Sequence, residues 1–168
     1  MKLAVMLVDM QDFFLKRIPA EKRKELILNQ AAVIQLCARK KIPVIVLEYE
    51  GTGRGKTVSS LTEETQRVKP NFLIRKPHNS GFRNTNLNEI LKRLGTKDIV
   101  LMGINGSGCV QDTAMGAVGR GYRIATARGV IASSSERDNN LSTSKKWYSK
   151  TGKFFETPDA LLTYMERS

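Results

Sequence analysis

The sequence predicts an α/β fold: a single domain built on an open, mostly parallel, Rossmann-like sheet with helices on both faces. Three observations predict it. Short apolar runs rich in branched residues alternate with longer segments of helical periodicity. The runs are continuously apolar and lack the in-and-out alternation of a half-exposed strand, as strands covered on both faces should be. Glycine and proline fall between these segments, where the chain must turn. With 168 residues, 40% hydrophobic and 26% charged, the chain can bury one sizeable core without disulfides or a structural metal.

The elements follow in order. Leu3 to Val8 is an apolar run that ends at Asp9 and reads as the first strand. From about Ala20 to Lys41, Leu26, Ile27, Ala31, Val33, Ile34, Cys37 and Ala38 recur on one stripe, which predicts a long amphipathic helix. Pro43 closes it and opens a second strand, Val44 to Tyr49. A glycine-rich segment from Gly51 to Ser60 reads as a loop, with a short polar helix before Pro70, and Phe72 to Arg75 as a third strand. Leu87, Ile90, Leu91 and Leu94 are in phase over a helix from Asn86 to Leu94 that Gly95 stops. Ile99 to Ile104 is the fourth strand, Val110 to Val118 a helix stopped by Gly119 or Gly121, and Tyr122 to Ala127 the fifth strand. Beyond Ala127 the pattern weakens, and only Pro158 to Met165 reads as a closing helix. There are no repeats and no linker, so residues 1–168 are read as one domain.

No stretch of about 20 apolar residues is present, and the opening run leads into Asp9 rather than into a small-residue cleavage site. The expectation is a cytoplasmic protein with no membrane partner, in which Cys37 and Cys109 are free thiols. Lysine and arginine outnumber aspartate and glutamate by 28 to 16, a formal charge of +12. These charges are scattered (Arg23, Lys40, Lys69, Arg93, Lys146) with no interleaved aromatics, which reads as a solvated basic surface ahead of a nucleic-acid groove.

Cys109 follows Gly-Ile-Asn-Gly-Ser-Gly, directly after the fourth strand and at the start of a helix. Exposed amides and the positive end of the helix dipole there favour a thiolate and offer oxyanion donors, from its own amide and from the turn before it. Asp9, at the end of the first strand, would converge with Cys109 if those strands are adjacent and would take its proton. Lys76, after the third strand, would hold that carboxylate and the developing charge. Each residue alone has an ordinary structural reading: buried small hydrophobe, strand-end cap, solvated lysine. Together, at strand ends where open α/β sheets place their chemistry, they predict a nucleophilic site.

The motifs around these residues resemble one family. Val8-Asp9-Met10-Gln11-Asp12-Phe13-Phe14 resembles the opening Asp-Met-Gln-Asn-Asp-Phe motif of isochorismatase-like cysteine hydrolases, with Asp12 and Phe13 in place of Asn and Asp. Arg75-Lys76-Pro77-His78-Asn79-Ser80-Gly81-Phe82 resembles the Lys-x-x-x-Ser-x-Phe segment that carries the catalytic lysine, continued by Thr85 and Leu87. Gly103 to Val110, with Thr113, Ala114, Ala117 and Gly121, resembles the nucleophile motif. The resemblance implies an Asp9-Lys76-Cys109 triad acting on a small-molecule amide or related C–N bond through an acyl-enzyme, with no cofactor. It implies an oxyanion hole from the amides of Asn105 and Cys109, a non-proline cis peptide between Ile104 and Asn105, and a homo-oligomer. Gln11, Phe14, Ser80, Phe82 and Gly108 become the candidates for the substrate pocket.

One departure bears on metals. Nicotinamidase-type members carry an Asp-x-His pair after the second strand and a further histidine, whereas that strand here ends Glu48-Tyr49-Glu50. His78, the one histidine in the chain, reads as a rim residue near Lys76, so no metal is expected. Two rival motifs fail. Glu50-Gly-Thr-Gly-Arg-Gly-Lys56-Thr57 lacks the first glycine of a phosphate loop, and its loop reading is a flap. Gly106-Ser-Gly108 has Gln111 where a dinucleotide fingerprint needs its last glycine. The alternatives retained are a vinyl-ether hydrolase of the isochorismatase type, and a non-catalytic basic scaffold binding RNA or an acidic partner. Substrate choice is assigned to the loops around Gly51, Ser80 and Ser134.

Overall fold

A computed structural model describes residues 2–168 and shows one seven-stranded sheet in which every strand pairing is parallel. The chain runs β1 (Leu3–Val8), α1 (Asp12–Leu15), α2 (Ala20–Lys40), β2 (Val44–Tyr49), α3 (Ser59–Gln66), β3 (Asn71–Lys76) and α4 (Leu87–Arg93). It continues through β4 (Asp98–Ile104), α5 (Cys109–Val118), β5 (Arg123–Ala127), β6 (Ile131–Ala132), α6 (Ser142–Thr151), β7 (Lys153–Phe155) and α7 (Pro158–Glu166). The strand order is β3-β2-β1-β4-β5-β7, with the short β6 continuing beside β4.

This order explains the continuous apolar runs. All six residues of β1 and all seven of β4 are buried, because helices cover both faces. Alternate residues divide between two cores. Leu3, Val5 and Leu7 pack with Leu26, Val33, Ile34 and Cys37 of α2 and with Leu161 and Met165 of α7. Ala4, Met6 and Val8 pack with Leu87, Ile90 and Leu91 of α4, Val110 and Ala114 of α5, and Tyr148 of α6.

From β1 the chain builds outward through β2 and β3, then returns to the other side of β1 for β4 and continues to β5 and β7. The β1/β4 boundary is therefore the switch point of the sheet, where the loops leaving the strands part and open a crevice. The two strands meet in register from Leu3↔Asp98 to Val8↔Gly103. At its end only glycine fits: a Cβ on Gly103, whose φ is 134°, would stand 2.0 Å from the Val8 carbonyl oxygen.

The segment after Ala127 holds more than the closing helix expected of it. It contains β6, β7 and the ten-residue α6, whose sequence Ser-Thr-Ser-Lys-Lys-Trp-Tyr-Ser-Lys-Thr has almost no apolar stripe. Only Ser144 and Tyr148 of that helix are buried. Tertiary contact with β7 and β5 overrides weak local pattern here. The four-residue α1 also lay below any periodic signal.

Candidate active site

Asp9 leaves β1 in a left-handed conformation, φ 53°, which aspartate tolerates better than bulky or β-branched residues do. Lys76 is the last residue of β3, and Cys109 the first of α5. The strands carrying Asp9 and Cys109 are adjacent. Lys76 reaches them from two strands away, with its Nζ 2.9 Å from Asp9 Oδ2, and neither side chain touches solvent. The same ammonium donates to the His78 carbonyl at 3.2 Å and stands 4.1 Å from the centre of the Tyr49 ring. Its hydrogens are thus engaged by a charge, a carbonyl and an aromatic face, which is what allows a lysine to be fully buried.

The second oxygen of Asp9, Oδ1, is buried with no donor at full hydrogen-bonding geometry. After Lys76, the side chain acting most strongly on this carboxyl is the Cys109 thiol. Burial raises the Asp9 pKa above its ordinary value of 3.8, against the lowering effect of Lys76. Burial, then the facing charge of Asp9, push the Cys109 thiol up to about 12, and Lys76 offsets this only in part. Burial and the facing carboxylate thus both favour the protonated thiol of Cys109. The helix start was expected to favour a thiolate, but loss of water and the adjacent carboxylate outweigh it. A thiol beside a carboxylate of raised pKa is an arrangement in which a proton can pass from sulfur to oxygen.

The peptide between Ile104 and Asn105 is cis, as the sequence motif implied. Around it the backbone is rerouted: Gly106, not Asn105, donates to the Ala132 carbonyl, and Gly108 and Val110 both donate to the Asn105 carbonyl. The amides of Asn105 and Cys109 are left with no acceptor among the described residues. Asn105 is held from its side chain, whose Oδ1 accepts from the Ser134 amide at 2.8 Å and hydroxyl at 2.9 Å. The next layer is Asp138, 1% exposed. Its Oδ2 accepts from the hydroxyls of Ser133, at 2.7 Å, and Ser144, and its Oδ1 from the Ser144 amide. This clamp on the turn before Cys109 has no signal in the sequence, where Ser133 to Ser135 reads only as a polar loop. Thr113 ties the third motif to the second, donating to the Cys109 carbonyl and accepting from the Gly81 amide.

The remaining candidates divide. Gln11 is fully buried, and its amide donates to the carbonyls of Tyr49 and Gly55 and accepts from the Tyr49 amide, so it fastens the glycine-rich loop. Phe14, half-buried, packs beside Tyr49 with ring centres 6.2 Å apart. Phe82 lies in the core, stacked on Tyr122. Ser80 and His78 line a cleft of about 450 Å³ with Arg83, with Tyr49, whose ring meets Lys76, and with Asp112, whose charge acts on Cys109. Gly108 is half-buried next to Cys109. A second cleft, about 530 Å³ between the α1–α2 turn and residues 128–141, borders the turn before Cys109 through Ala132, Ser133 and Ser134.

At the position where a metal-bearing relative needs ligands, Glu48 Oε1 accepts from the Thr57 amide and hydroxyl, and Oε2 lies 3.8 Å from Arg75. Among the described residues no three His, Cys, Asp or Glu side chains gather around one point. These residues do not fit a metal site. No helix among the described residues is long and apolar enough to cross a membrane.

Known proteins share this architecture. Nicotinamidase 3 of Arabidopsis thaliana is 24% identical over 140 residues, 72% of this chain and 68% of that protein. The N-carbamoylsarcosine amidase of Thermoplasma acidophilum superposes with a TM-score of 0.79 at 24% identity, over 95% of this chain and 98% of that one. The YcaC gene product of Escherichia coli, an octameric hydrolase of unknown specificity, superposes with a TM-score of 0.82 at 21% identity, over 99% and 80%. The Isochorismatase domain model matches residues 3–145, from β1 into α6. The chain belongs to the isochorismatase family.

Proposed function

We propose that the chain is a cysteine hydrolase that cleaves the C–N bond of a small amide, with Cys109 as nucleophile, Asp9 as base and Lys76 as the cation that holds Asp9. The observation that carries this reading is the buried Asp9 carboxyl, paired on one side with Lys76 and acting electrostatically on the Cys109 thiol on the other. As Cys109 Sγ adds to the substrate carbonyl carbon, its proton passes to Asp9 and the carbonyl electron pair moves to oxygen. The amides of Asn105 and Cys109, free of other acceptors, receive that oxyanion. Asp9 then gives the proton to the departing nitrogen, the C–N bond breaks, and a thioester remains on Cys109. Water adds to the thioester while losing a proton to Asp9. Collapse expels Cys109, which recovers that proton, and the acid product leaves.

An amidase stands among the close structural neighbours and a nicotinamidase among the relatives, which supports amide over vinyl-ether cleavage. A homo-oligomer in the cytoplasm is the proposed setting; the octameric neighbour supports the assembly, which light scattering on the purified protein measures. The deciding experiment screens small amides, ureas and isochorismate with Cys109→Ala as the blank. Release of amine or ammonia by the wild type only is the expected result. Turnover of isochorismate alone would replace the amide reading, and equal turnover by Cys109→Ala would remove the nucleophile.

A further inference from the structure

We propose that the substrate carries a carboxylate and that Arg54 binds it, beside the Tyr49 ring that also meets Lys76; this rests on the hydrolase reading above. Arg54 lies in the glycine-rich loop between β2 and α3. Its guanidinium carbon is 4.0 Å from the centre of the Tyr49 ring, 5.8 Å from that of Phe14 and 5.9 Å from that of Phe13. The Tyr49 ring is the one that also carries the Lys76 ammonium, and the charge of Arg54 is felt by Asp9. Arg54 thus borders the Asp9–Lys76 pair across the Tyr49 ring.

It stands there without a counter-charge. Lys76 is paired with Asp9, Arg75 faces Glu48 and Arg67 pairs with Glu64, but no carboxylate among the described residues forms an ion pair with Arg54. A guanidinium resting on an aromatic face keeps its N–H edge free, and that edge matches the two oxygens of a carboxylate.

The loop is built to hold it. Gly55 gives its carbonyl to Gln11 Nε2 at 2.9 Å, Thr57 donates its amide and hydroxyl to Glu48, and Val58 donates to the Met10 carbonyl. Gly51, at φ 140°, leaves the space the guanidinium stem occupies: a Cβ there would lie 2.7 Å from Arg54 Nε. What looked in sequence like a degenerate phosphate loop is a mount for one arginine.

The test uses two alkylating reagents that share a CH₂–I group and differ in charge, iodoacetate and iodoacetamide. In both, Cys109 Sγ bonds to the methylene carbon, iodide leaves, and the thiol proton passes to Asp9 or water. The iodoacetate-to-iodoacetamide rate ratio at Cys109, read by peptide mass mapping, is divided by the ratio for a small free thiol at the same pH. The expected value is about tenfold above unity, the scale of one charge-assisted hydrogen-bonded pair. It should fall to unity in Arg54→Met and survive in Arg93→Met, which removes the same charge from the far surface of α4. A normalised ratio at or below unity in the wild type, or one unchanged in Arg54→Met, overturns the proposal and leaves the nucleophile standing. Failure of both reagents to modify Cys109 in native protein overturns both.

Discussion

Asp9 Oδ2 and Lys76 Nζ form a 2.9 Å ion pair from which solvent is wholly excluded. Removing one partner strands the other charge in the interior, which costs about 3–5 kcal/mol. Lys76→Ala should therefore lose both turnover and stability, seen as a lower urea midpoint. Asp9→Asn keeps shape and hydrogen-bonding capacity but accepts no proton, so turnover should drop about 10²-fold or more. Combining it with Cys109→Ala should lose no more than Cys109→Ala alone, because the two act as one unit. Near wild-type turnover by Asp9→Asn would exclude it as the base.

The Ser134–Asn105 contact makes a separate prediction about the nucleophile turn. Two hydrogen bonds of 2.8 and 2.9 Å hold the Asn105 side chain, and Asp138 holds the adjacent Ser133. Ser134→Ala removes one donor and should lower kcat about tenfold with KM little changed, since the Asn105 amide would be aimed less well at the oxyanion. Asp138→Ala should unfold more readily, by about 1–3 kcal/mol, for the buried hydroxyls it leaves unmet, and Asp138→Asn should recover part of this. A change confined to KM would assign these residues to substrate contact instead.

Much of this was legible before any coordinates. Strands β1 and β4 announce themselves because burial on both faces demands unbroken apolar runs, and Asp9, Lys76 and Cys109 because they stand at or just beyond strand ends. What stayed hidden depends on distant partners. Helix α6 is polar in sequence and forms against β5 and β7, so the Asp138 clamp it supports had no local signature. The thiol at a helix start suggested a thiolate, yet its burial and the carboxylate beside it are properties of the folded crevice alone. Gln11 and Arg54 show the same limit: the motif names Gln11 but not its hold on the loop, and glycines around Arg54 conceal where its guanidinium lands.

Catalysis should be independent of metal. Glu48, near the end of β2, has its oxygens engaged by Thr57 and faced by Arg75, while His78 stands beside Asn84 at 3.3 Å. Exhaustive chelation should leave turnover unchanged on any substrate found by the amide screen. Stoichiometric zinc or iron by elemental analysis, with activity lost on removal and restored on return, would overturn this.

The last prediction follows from the protonation of the two thiols. Cys37 and Cys109 are both pushed up to about 12 from an ordinary 9.0, Cys37 by burial alone and Cys109 by burial joined to the charge of Asp9. The folded pKa lies above the unfolded one, so each thiol contributes stability that is present below pH 9.0 and lost as the pH rises towards about 12. Thiolate ultraviolet absorbance, taken as wild type minus Cys109→Ala, should accordingly be absent from neutral pH up to 9.0 and grow only beyond it. Yet the two should react differently, because Cys109 is 8% exposed and has Asp9 to take its proton, whereas Cys37 is 0% exposed among Leu26, Val33 and Ile34. Iodoacetamide on native protein should modify Cys109 first and abolish turnover in proportion, with a pH dependence that follows Asp9 ionisation and levels off well below the thiol's own titration. A thiolate signal already present at neutral pH would show that the resting site is not a thiol beside a carboxylate, and earlier labelling of Cys37 would move the nucleophile elsewhere.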